Sequence, residues 1–185
     1  MTLAFSTQIN GKPNYFPEKI IIGLYIEGTI SISKAVELLR EYNKINPLPE
    51  ELLYIDTFRN NFSNYKSKLH TIRVDAHDRW KQGNKIHPVI NNRTPQRFQF
   101  VDDIPCTGTQ SFQILWEDNI PTVYIGETKD SLMPFFILEE KGVIVYDEGM
   151  SELAQNDGFD TMEDFFNYFN TDFTGKLIHW TDKRY

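Results

Sequence analysis

Between Leu69 and Ile125 five short runs of β-branched and aromatic residues follow one another, at 69–74, 85–90, 97–101, 111–116 and 122–125, each closed off by Gly, Pro, Asn or Asp. Runs of this kind suit strands and are too short for helices. The middle of the chain is thereby confined to short strands joined by tight connections. A further strand is expected over 176–180, and 135–138 with 143–146 reads as a hairpin across Glu140-Lys141-Gly142.

Helical signals flank this region. Pro17 and Glu18 suit the first turn of a helix that Gly28 ends. With Ser31 or Ser33 as cap, Ile32, Ala35, Val36 and Leu39 fall on one stripe of a second helix that runs to about Asn43. Glu50 to Ile55 is expected to form one short further helix, and 150–156 another that Gly158 stops. Asp160 and Glu163 have capping-box spacing ahead of the stripe Met162, Phe165, Phe166, Phe169. Residues 3–16 read as a hairpin or an extended entry, with Asn10-Gly11 as the turn pair. These elements predict an α+β fold, a single domain over 1–185 with a helical N-terminal elaboration at about 17–58. Its simplest architecture is a small β-barrel with peripheral helices.

Composition narrows the class. The 14 Phe, 9 Tyr and 3 Trp exclude a disordered chain. Cys106 alone excludes a disulfide framework and a cysteine-rich zinc site. No apolar run approaches the ~18 residues of a membrane span, and no basic stretch leads into an apolar one near Met1. Both point to a cytoplasmic protein that does not engage a membrane. A phosphate loop, a dinucleotide fingerprint, an HExxH helix and a nucleophile elbow are all missing. His70, His77, His87 and His179 never combine with carboxylates at a metal-binding spacing. No cofactor and no metal are therefore expected.

Charge is segregated. Residues 1–100 carry 14 basic and 9 acidic side chains, residues 101–185 carry 5 and 17. The span from Arg59 to Arg97 holds nine cations against Asp75 and Asp78. It reads either as a surface for an anionic ligand or as a basic half neutralised by the acidic one. The acidic remainder repels a long DNA duplex in both cases.

Within that span lies Lys66-Ser-Lys68-Leu-His70-Thr71-Ile-Arg73. On a regular strand Lys68 and Thr71 point to opposite faces, so they converge only if Lys68 precedes the strand or sits at a bulge. Without convergence the segment is an edge strand with solvated cations. The motif resembles that of the ASCH domains, G-x-K-x-x-E-x-R, with Lys66 in place of glycine and Thr71 in place of glutamate. Lysine and threonine occupy these two places in the small ASCH-like amidohydrolases that deacetylate N4-acetylcytidine, whose run is K-T-I-T-I-R. The blocks 70–86, 110–114, 157–169 and 177–185 also resemble a phage and bacterial group of ASCH-like proteins ending in I-H-W-T-D, and the likeness covers about two thirds of the chain.

The resemblance implies a PUA-like β-barrel. It also implies a nucleotide, a modified nucleoside or short single-stranded RNA as ligand. Thr71 then acts as nucleophile and Lys68 as its base, and the family's acidic residue falls on Asp157, one methylene shorter, as proton donor. A helix carboxyl end at Asp157 would raise its pKa, whereas the plain alternative is an Asp-Gly turn. His70, Arg73, Arg79, Trp80, Lys85 and Gln110 are the remaining ligand-binding candidates, with Lys68, Arg73 and Lys85 expected in one pocket. Trp80 could stack on a base or cover a barrel end, and Gln110 could read a base edge or bond to backbone. A non-catalytic RNA-binding or protein-interaction module is the alternative.

Overall fold

The computed structural model describes residues 1–137 and 148–185. In chain order the elements are β1 (Thr2–Ala4), β2 (Gln8–Ile9), β3 (Lys12–Pro13), α1 (Phe16–Ile26), α2 (Ile32–Asn43), α3 (Ile55–Asn61), β4 (His70–Arg73), β5 (Lys85–Ile90), β6 (Phe98–Gln99) and β7 (Ile104–Pro105). They continue as β8 (Gly108–Glu117), β9 (Ile120–Gly126), β10 (Met133–Ile137), α4 (Glu148–Asn156), α5 (Met162–Tyr168) and β11 (Phe173–His179). The fold is mixed α+β, and no helix among the described residues is long and apolar enough to cross a membrane. The chain divides into two compact units, 1–69 with 85–105 and 70–84 with 106–185. The boundary after Leu69 falls inside the Lys66–Arg73 motif, and the basic span from Arg59 to Arg97 is divided between the units.

In the first unit the helix signals act as expected. Pro17 stands at the start of α1, and Ile20, Ile21, Ile22 and Leu24 are fully buried, so this helix is apolar all round. Gly23 lets the segment 67–69 approach, since a Cβ there would lie 2.9 Å from Leu69 Cδ2 and 3.1 Å from the Lys68 carbonyl oxygen. Ser31 caps α2 by accepting the Lys34 N–H at 3.2 Å, and Ala35, Val36 and Leu39 form its buried stripe. The expected helix at 50–55 is instead a 3-10 turn at Glu50–Leu52 followed by α3, whose Phe58 packs edge-on to Tyr25 at 5.3 Å. Asn10-Gly11 does turn a hairpin, but only β2 and β3 form it. β1 pairs in parallel with β5, which also pairs antiparallel with β6 and β7.

The second unit is built on a five-stranded antiparallel sheet in the order β10-β9-β8-β11-β4. Among the described residues β10 and β4 stand at its two ends, and none of the described sheets closes into a barrel. Of the expected hairpin at 135–146, the first arm lies in β10 and the remainder falls outside the described residues. The α5 stripe covers the sheet through rings: Phe165 lies 6.5 Å from Phe112 and 4.8 Å from Phe169, and Phe169 lies 5.0 Å from Phe173. The cap of α5 sits one residue later than the spacing suggested. Thr161 Oγ1 accepts the Asp164 N–H at 3.0 Å, because a hydroxyl at that position reaches the third helical amide as well as a carboxylate does.

Candidate functional site

Thr71 lies on β4, the edge strand, and is 2% exposed. The register pairs it with Ile178 of β11, which pairs with Thr109 of β8, so the three share one sheet face. Arg73, Lys176 and Ser111 form the next row of that face. His70, Ile72, Leu177, His179 and Gln110 occupy the other.

Asp157 follows α4 directly, its N–H bonded to the Leu153 carbonyl at 2.9 Å, while Gly158 takes φ 95° and lets the chain turn away. The Asp157 side chain is 4% exposed and its Oδ1 accepts the Ile72 N–H at 3.2 Å. An unpaired N–H on an edge strand needs such an acceptor, and it brings a carboxylate beside the residue next to Thr71. Asp157 is thus both at the helix end and in the Asp-Gly turn.

Lys68 precedes β4, as convergence with Thr71 would require, and belongs to the first unit. It is 1% exposed, its N–H donates to the Lys19 carbonyl at 3.0 Å, and its Nζ lies 4.5 Å from the centre of the Phe16 ring. A cation over an aromatic face is stabilised there in place of lost water.

Of the other candidates, His70 and Gln110 both meet Tyr185. His70 is fully buried, its Nδ1 3.4 Å from the Tyr185 hydroxyl and its ring 5.5 Å from that of His179. Gln110 is buried too, and its amide is committed: Nε2 donates to the Tyr185 carbonyl at 2.6 Å and Oε1 accepts the Tyr185 N–H at 3.1 Å. This is the backbone role, not the base-reading one. Arg73 lines a cleft of about 360 Å³ with Tyr168, Phe169 and Phe173, and among the described residues no second cation lines it. Lys85 and Arg79 are exposed, Lys85 in the first unit, its carbonyl accepting from the Met1 amino group. Arg79 gives only its backbone N–H, to Asp75 Oδ1 at 3.0 Å. Cys106 is 1% exposed, and burial pushes its thiol up, which disfavours the thiolate.

Trp80 alone of the candidates lines a cleft of about 650 Å³ on the Thr109 and Ser111 face of the sheet. Asp75 Oδ2 accepts the Trp80 backbone N–H at 2.9 Å, and Lys176 Nζ donates to the Trp80 carbonyl at 3.2 Å, so both hold the backbone that carries the indole. Lys176 also pairs with Asp75 at 3.7 Å and with Asp78. Lys176, Lys129 and Arg184, which share this cleft, carry no motif and were missed by the sequence reading. The one sequence signal for them is their scarcity, since only five cations occur in 101–185. No family model, no curated protein and no solved structure matches the chain.

Proposed function

We propose that the chain is a cytoplasmic PUA-like protein of the ASCH kind that recognises a nucleoside-class ligand, a nucleotide, a modified nucleoside or short single-stranded RNA. One observation supports this above the others: the Asp157 carboxylate is held at the backbone of Ile72, beside Thr71, by a bond between residues 85 apart in sequence. The motif resemblance names these same two positions. The five-stranded antiparallel sheet with α5 packed on Phe112 supports the α+β part of that reading.

The sharper form of the reading is hydrolysis of an N4-acylated cytidine. Thr71 Oγ1 attacks the acyl carbon while its hydroxyl proton passes to the neutral amine of Lys68, Asp157 in its protonated form gives a proton to the departing cytosine amine, and water then cleaves the threonine ester to release the acid and restore the hydroxyl. The base role of Lys68 is carried by the resemblance. Calorimetric titration with cytidine, N4-acetylcytidine and a short single-stranded RNA tests the proposal. Saturable binding that Thr71→Val or Asp157→Ala weakens supports it, and no binding by any of the three contradicts it. Binding of RNA without turnover of the acetylated nucleoside selects the non-catalytic module.

A further inference from the structure

The acidic stretch 101–185 contains 5 cations and 17 carboxylates, yet three of those cations and only one of those carboxylates, Glu127, line the cleft beside Trp80. From the segment 70–84, Lys81 and Asp78 join them. The cleft is a positive focus within an acidic sequence, and low-dielectric walls strengthen such a field for an anion.

Two of the cations are not spent on carboxylates. Arg184 donates from Nη1 to the Thr181 carbonyl at 3.0 Å and the Lys183 carbonyl at 2.6 Å, and from Nη2 to the Thr107 carbonyl at 2.8 Å. These three bonds to carbonyls fix the guanidinium in place and leave two of its five N–H groups for a ligand. The group lies against Gly108, where a Cβ would come 2.4 Å from Nη2 and 2.9 Å from Cζ. Lys129 is exposed, and the carboxylate it acts on electrostatically, Asp78, is held at short range by Lys176. By contrast Lys176 is engaged with Asp75 and Asp78 and serves to hold the Trp80 loop.

We infer that this cleft binds a phosphomonoester, the phosphate between Arg184 and Lys129 and an organic group on the Trp80 side. An oxyanion with several acceptor atoms suits a fixed guanidinium and a mobile ammonium together. A volume of about 650 Å³ takes a mononucleotide. The inference goes beyond deacylation and stands without it, because it uses neither Thr71 nor Asp157.

The experiment titrates the full chain with cytidine 5′-monophosphate, cytidine, ribose 5-phosphate and inorganic phosphate, alongside Lys129→Glu and Gly108→Ala. Gly108→Ala displaces the guanidinium without removing its charge, and Lys129→Glu alters an exposed side chain with no structural bond. The expected result is that the monophosphate binds at least about tenfold tighter than cytidine and that each variant weakens it about tenfold, Lys129→Glu at an unchanged melting temperature. Equal binding of inorganic phosphate and the nucleotide supports the phosphate site and assigns it to the free anion, and preference for the nucleotide over ribose 5-phosphate assigns the organic side to the base. No binding of any phosphate, or binding that neither variant changes, overturns the inference. Acetate release from N4-acetylcytidine is unaffected by either outcome, so this site and the Thr71 reading fail separately.

Discussion

The carboxylate of Asp157 accepts the backbone N–H of Ile72 at 3.2 Å, tying the end of α4 to the edge strand β4. A buried N–H that loses its acceptor costs about 1 to 3 kcal/mol. Asp157→Ala is therefore expected to destabilise the protein by that amount in urea denaturation, and Asp157→Asn, which keeps an acceptor oxygen, by less. Equal stability of both variants and the wild type would show that the bond contributes nothing.

Glu18 gives a pH dependence of opposite sign to ordinary acid denaturation. It stands in the first turn of α1, where the helix dipole favours an anion, yet burial pushes its carboxyl up to about 7, with its own backbone and Lys19 opposing weakly. The folded state then holds the proton more tightly than the unfolded state. Stability from this group is complete below the ordinary value of 4.5 and is lost as pH rises towards 7, about 3 kcal/mol in all. Glu18→Gln should remove this loss, so the gain of the variant over wild type in urea denaturation grows from pH 5 to pH 8. A difference that does not change with pH contradicts the assignment.

His179 acts in the other direction. It is fully buried, neither ring nitrogen has a hydrogen-bond partner among the described residues, and burial, with Arg184 adding to it, lowers its pKa from 6.5 to about 3. The unfolded state takes up the proton first. Stability is present above 6.5 and is lost as pH falls towards 3, on the order of 4 kcal/mol. His179→Phe should flatten this acid limb, and denaturation midpoints at pH 7 and pH 4 measure it.

Gly23 is a helix-interior glycine kept for close approach. A Cβ at 2.9 Å from Leu69 Cδ2 already forces a shift, and the branched side chain of Gly23→Val should cost about 1 to 3 kcal/mol. A neutral valine would mean that the segment 67–69 moves freely away from α1.

Elements whose signals are local were legible in the sequence. The Ser31 cap, the α2 stripe and β5 at Lys85–Ile90 fall where periodicity and turn residues put them. The pairing of β1 with β5 in parallel was not, because a register between residues 2–4 and 87–89 leaves no trace in either segment alone. The order of the five-stranded sheet was hidden by the same cause, since strand runs give lengths and not partners. At the site, Thr71 and Asp157 were named by motif, and the tertiary bond to Ile72 joins their surroundings. For Gln110 the sequence left base reading and backbone bonding open, because the partner, the Tyr185 backbone, is 75 residues away. Arg184 and Lys129 were invisible because a positive cleft is a property of the folded surface rather than of any spacing.

The reading of Thr71 and Asp157 as the reactive pair is tested most directly by proton NMR of the purified protein with N4-acetylcytidine. The account predicts free acetate and cytidine from the wild type, none from Thr71→Val at an unchanged melting temperature, and equal or greater release from Asp157→Glu. Loss of an activated nucleophile removes orders of magnitude in rate, so the threonine variant should be silent on the same time scale. Neither acetate release nor binding by the wild type or by Asp157→Glu, across a panel of acylated nucleosides, would contradict it.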